Sequence, residues 1–149
     1  MNDAFKETLA HYEETYRQFF DLLARYPASL RTKEGACGDW SPQQVVAHLS
    51  GWIVEAKRRY PRYATGTGGI DYNIDAFNDV SVRQRKGHNW AHAVAELEKL
   101  IGELAAMARQ ITPEQAERDD RYRKWLSIMA EACQEHMQQL KVFEHAHTA

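Results

Sequence analysis

Asp39-Trp40-Ser41-Pro42-Gln43-Gln44-Val45-Val46-Ala47-His48-Leu49-Ser50-Gly51-Trp52 reads as the opening of a buried helix. Ser41 suits the N-cap, where its hydroxyl accepts from a free amide of the first turn, and Pro42 suits the first helical position. Val45, Leu49 and Trp52 then recur at spacings of four and three, the period of one helix face turned to a core. His48 stands on the edge of that stripe. An imidazole held there is not free in water, so its ring nitrogens need partners, and those partners decide its chemistry.

Outward from this stretch the chain reads as one all-α domain, residues 1–149. Its 149 residues suffice for a single core, and its 44% apolar and 27% charged shares are those of an ordinary globular protein. A net charge of −2 gives no general attraction to nucleic acid or to an anionic membrane. No apolar run approaches the roughly 20 residues of a membrane span. The first residues, Met1 to Glu7, have no basic start followed by an apolar block, and Cys37 and Cys133 form no metal or redox spacing. Both features lead to the expectation of a cytoplasmic protein with reduced thiols.

A first helix is expected from Ala4 to Tyr26, capped by Asn2 or Asp3 and stopped by Pro27. Phe5, Leu9, Tyr12, Tyr16, Phe19, Leu23 and Tyr26 form its seam. A second runs from Ser41 to about Tyr60. Its basic tail, Lys57 to Arg62, reads as complementing the helix dipole. Ala64 to Gly69 is a Gly-rich connector without the ending of a phosphate loop. A shorter helix between Asp71 and Lys86 carries Ile74, Phe77 and Val80 or Val82. A third long helix runs from Trp90, capped by Asn89, to Ile111, and Thr112-Pro113 starts a brief turn. A fourth runs from Arg121 to His145, with Tyr122, Trp125, Met129, Ala132 or Cys133, His136, Leu140 and Phe143 on its seam. No segment alternates like a strand.

Four long amphipathic helices predict a four-helix bundle. Short links make the first and second, and the third and fourth, antiparallel neighbours, and the long link after Pro61 makes the middle two parallel: up-down-down-up. His48 then lies about 10 Å below the cap of the second helix, and His136 about 14 Å below the upper end of the fourth. Tyr16 or Phe19 and Leu97 or Glu98 fall near that level. Two buried imidazoles and a carboxylate such as Glu98 are the donors from which zinc, nickel or iron sites are built. The same histidines can instead be core-edge residues satisfied by hydrogen bonds.

The run Trp40-Ser41-Pro42, Ala47-His48-Leu49 and Gly51-Trp52, the pair Phe77-Asn78, and Glu135-His136-Met137-Gln138-Gln139-Leu140 together resemble the DinB/YfiT-like superfamily. Within it they are most similar to the ClbS/DfsB group. The resemblance implies an up-down-down-up bundle, often dimeric. It also implies a divalent metal held by one histidine of the second helix and two, four residues apart, of the fourth. His48 and His136 match two of these ligands. The third position is Ala132, which has no donor, so a metal here would be weakly held; Cys133, Glu135 or Glu98 are the available substitutes. The superfamily includes metal-dependent thiol transferases and isomerases, and the group is linked to detoxifying hydrolysis of small molecules. A metal-activated water near His48 and His136, with Glu98 or a neutral histidine taking its proton, is the implied chemistry. Tyr16, Trp40, Trp52 and Tyr60 are candidate walls of the substrate pocket. A non-catalytic bundle that binds a small ligand or a protein partner is the alternative.

Overall fold

A computed structural model describes residues 3–66 and 69–148. Asn2, one of two expected caps, and Thr67-Gly68 of the connector lie outside them. The described residues are all-helical: α1 (Asp3–Ala24), a 3-10 turn (Ala28–Leu30), α2 (Pro42–Ala64), α3 (Ile74–Gln84), α4 (Trp90–Arg109), α5 (Pro113–Arg118) and α6 (Arg121–His147). No strand occurs among them, only an isolated bridge between Cys37 and Trp40. No described helix is long and apolar enough to cross a membrane.

The starts of these helices follow from local chemistry. Ser41 accepts from the Gln44 amide while the Gln44 side chain accepts from the Ser41 amide, a reciprocal capping box; Thr112 and Gln115 repeat it for α5. Asn73 and Asn89 cap α3 and α4. The expected end of α2 near Tyr60 is corrected: the helix runs through Pro61 to Ala64. Two contacts anchor its last turn. Tyr63 is buried, with its hydroxyl accepting from Trp125 Nε1 at 2.7 Å. The Arg121 guanidinium lies 4.0 Å from the Tyr63 ring centre. These outweigh the proline's local bias against the helical residue before it.

The four long helices share one hydrophobic core, into which the whole predicted seam of α1 is buried. Tyrosine hydroxyls tie the helices across it. Tyr12 donates to Ile101 O, Tyr16 to Met129 O, Tyr26 to Leu140 O and Tyr60 to Tyr122 O, at 2.8–3.1 Å. Along α1 and α6, residues that meet rise in number together, as they do along α2 and α4, where Lys57 meets Glu103. Along α2 and α6 they run in opposite senses. The most extensive contacts pair α1 with α6 and α2 with α4. The short-link expectation that α1 and α2, and likewise α4 and α6, are close neighbours is therefore corrected. Residues 25–41 are long enough to carry the chain across the bundle, and α1 rests on α6 and α4 instead.

The short helix α3 packs chiefly on α2. Its expected apolar stripe is only partly inward: Ser81 and Val82 are buried, whereas Ile74 and Val80 are exposed. What brings it close is Gly51. A Cβ there would lie 2.5 Å from Ser81 Cβ, a separation no folded chain sustains, so the hydrogen of glycine permits the approach.

Candidate functional site

The turn Cys37–Trp40 precedes α2. Gly38 adopts φ +56°, and the Trp40 amide and carbonyl bond back to Cys37. The turn lays the Trp40 ring against His48, with centroids 4.9 Å apart. One turn along α2 from His48, Trp52 stacks on Phe77 of α3 at 4.1 Å. These two contacts fix the flanks of His48, and α6 brings His136 to face it.

The two imidazoles meet edge to face, with Nε2 of His48 3.2 Å from Nε2 of His136 and both residues buried. Their outer nitrogens are each held by a side-chain amide. Asn78 Oδ1 lies 2.8 Å from His48 Nδ1 and also accepts from Trp52 Nε1 at 2.6 Å. An indole nitrogen only donates, so the atom facing both groups is the oxygen, and His48 Nδ1 carries its proton. Neutral His48 therefore presents Nε2 as a lone pair. Gln139 presents Oε1 to His136 Nδ1 at 2.7 Å and also hydrogen-bonds the Cys37 thiol. The two Nε2 atoms face one another at 3.2 Å, within hydrogen-bond distance.

Burial favours the neutral rings. It lowers the His48 pKa to about 4, the nearby His136 acting in the same sense, with the Asn78 bond opposing. Burial also lowers that of His136, against the Gln139 bond and the Glu135 charge.

Beside His48 a cavity of about 510 Å³ opens between α2, α6 and the connector before α3. Trp52, Tyr63, Tyr72, Trp125, Met129 and Ala132 wall it; His48 and Asn78 supply polar atoms at one end, and Arg121 and Lys124 lie at the other. Trp52 alone among the four expected wall residues lines it. Tyr16 and Tyr60 lie in the core with their hydroxyls on backbone carbonyls, and Trp40 packs on His48 outside the cavity. A seam position reports that a side chain points inward, not which neighbour it meets. The wall residues missed in the sequence, Tyr63, Tyr72 and Trp125, come from the end of α2, the connector and the flank of α6. The Asn78 and Gln139 roles were missed too; Gln139 sits three residues after His136, the spacing that shares a helix face.

The expected carboxylate is corrected: Glu98 is exposed on α4, away from the pair. The substitutes for a third ligand fail as well. Cys133 is buried against α1, its Sγ 3.9 Å from Thr15 O and its thiol pushed up by burial, and Glu135 is exposed. Among the described residues no group of three or more histidine, cysteine or carboxylate side chains is placed to hold a metal ion. The pair itself fits a divalent cation. Bonds of about 2.0–2.1 Å to nitrogens 3.2 Å apart subtend about 100–106°, close to tetrahedral. Each Nδ1–H is held by an amide oxygen, as metal-bound imidazoles are usually held. The residues thus supply two donors of the three, and Ala132 faces the cavity where the third would stand. The chain matches no protein-family model, no curated protein and no solved structure.

Proposed function

We propose that the chain is a DinB/YfiT-like four-helix bundle of the ClbS/DfsB type, with up-down-down-up topology. In this reading its His48–His136 pair performs hydrolysis or group transfer on a small molecule held in the adjoining cavity. The directions in which paired helices run support the topology. One observation carries the function: two buried Nε2 atoms 3.2 Å apart, each ring held through its other nitrogen by a side-chain amide.

His48 and His136 would hold a divalent metal, which would polarise a substrate carbonyl or lower the pKa of a bound water. The chain's own residues do the rest. Asn78, oriented by Trp52, keeps the proton on His48 Nδ1 and so leaves its Nε2 lone pair for a single task, binding the metal or, in a metal-free site, accepting the proton of the attacking water or thiol. Gln139 does the same for His136. Trp40 and Trp52 keep bulk water from the flanks of the pair, and the aromatic wall orients an apolar substrate. The protein is expected to work as a homodimer, as the resemblance implies.

Titration of zinc, nickel or iron(II) by calorimetry against the wild type and His48→Ala tests this. One weak site lost in His48→Ala, with unchanged helicity, is the expected result. No binding by the well-folded wild type would leave the second reading, a non-catalytic bundle that binds a small ligand; the missing donor at Ala132 and the apolar wall favour it.

A further inference from the structure

Resting on the reading that the cavity takes a small molecule, we infer its class: an elongated amphiphile whose uncharged polar end meets His48 and Asn78 and whose apolar tail, about eight to twelve carbons long, follows α6 outward. On α6 the cavity is lined by Lys124, Trp125, Ile128, Met129 and Ala132, one continuous stripe. From Lys124 to Ala132 it extends about 12 Å at 1.5 Å per residue, the span of an extended chain of about ten carbons. Spread over that length, the 510 Å³ cavity averages about 40 Å² in cross-section, narrower than a helix of a partner protein, which is about 10 Å across.

The two ends differ. At the inner end the polar atoms belong to His48 and Asn78, neutral donors and acceptors. At the outer end Arg121 is paired with Asp119 and Lys124 with Asp120, at 2.6 and 3.3 Å, so these cations are already compensated; Asp71 there is exposed to water. A charged headgroup is not called for there. The same rim carries Ile70, Ile74 and Ile128, exposed by 48%, 59% and 54%, three of the five large apolar side chains exposed among the described residues. Such clustering of exposed apolar side chains marks a place that something apolar covers. The remaining wall is Tyr72, whose hydroxyl donates to buried Glu55 at 2.5 Å while Arg59 holds the same carboxylate at 2.9 Å. The connector is thereby anchored beside the α6 stripe.

The test is a homologous series of 1-alkanols from butanol to tetradecanol, titrated against the full chain in EDTA. Binding is read from the fluorescence of Trp52 and Trp125. Affinity is expected to rise about three- to fourfold per added methylene and to level off near ten to twelve carbons. In Ala132→Phe, which shortens the inner end, the levelling should move to shorter chains and decanol should bind at least tenfold more weakly. Ile128→Ser, at the exposed rim, should weaken only the longer members. Affinity independent of chain length, or a series unchanged in both variants, overturns the inference. Because the readout needs neither metal nor turnover, that failure is separate from failure of the metal titration.

Discussion

Replacing Gly51 by alanine tests whether the close approach of α3 to α2 is what builds the site. The added Cβ would stand 2.1 Å from Ser81 Oγ and 2.5 Å from Ser81 Cβ. The hydroxyl can rotate away, but Cβ moves only with the backbone, so α3 must retreat by about 1 Å to reach ordinary contact. Overpacking of this kind costs about 1–3 kcal/mol. Alanine in place of glycine within a helix returns up to about 1 kcal/mol. The net loss of stability is therefore about 0–3 kcal/mol, and the fold should survive. The site should not survive intact. Asn78 lies three residues before Ser81 on α3, and its 2.8 Å bond to His48 Nδ1 has little slack.

Two measurements decide it. Nitrogen-15 NMR of the histidine rings should show His48 as the Nδ1–H tautomer in the wild type and as a mixture in Gly51→Ala. A double-mutant cycle with Ser81→Gly, which removes both offending atoms, should recover about 1–2 kcal/mol relative to additivity. An unchanged tautomer would refute the reasoning, as would a cycle additive to within about 0.3 kcal/mol.

Other outcomes follow from the same geometry. Because burial depresses the His48 pKa from 6.5 to about 4, the neutral ring is the one the fold accepts. Its contribution, about 3 kcal/mol, is complete above pH 6.5 and is lost as pH falls towards 4. Urea unfolding in EDTA at pH 7.5 and 4.5 should show a smaller difference for His48→Gln than for the wild type, and equal differences would contradict the assignment. Trp52→Phe keeps a ring on Phe77 but removes the donor that orients Asn78; it should cost about 1 kcal/mol and mix the His48 tautomers, and an unaltered ring spectrum would count against the role given to Trp52. Ala132→His adds a donor one helical turn from His136 at the cavity wall. It should tighten zinc binding at least tenfold in calorimetry, whereas affinity no better than wild type would show that residue 132 does not face the metal.

Much of this arrangement is legible in the chain because it is local. Ser41, Asn89 and Thr112 announce their helices through side chains that satisfy first-turn amides, and all three do so here. The α1 seam from Phe5 to Leu23 is equally local, since helical period alone puts those side chains on one face. The meeting of His48 and His136 was within reach because helix length converts sequence distance into height. Direction around a helix is harder to read. Tyr16 and Tyr60 point inward as expected, but towards backbone carbonyls rather than towards ligand space. Pro61 shows a local rule losing to distant partners, Trp125 and Arg121, that no nearby residue reveals.

The shortest helix shows most clearly how the fold serves the site. By hydrophobic burial α3 has little reason to dock: only Ser81 and Val82 are buried, and two of its larger apolar side chains face water. Its place is set by three features of α2 within five residues: His48, which takes the Asn78 oxygen; Gly51, which leaves room for Ser81; and Trp52, which stacks on Phe77 and donates to that same oxygen. A helix docked by glycine and hydrogen bonds rather than by a greasy face is positioned accurately but held weakly. Such a helix orients an imidazole while standing at the low end of the fold's local stability. Hydrogen exchange should therefore find the amides of α3 opening before those of α1, α2, α4 and α6, and protection of α3 equal to theirs would mean that it belongs to the core after all.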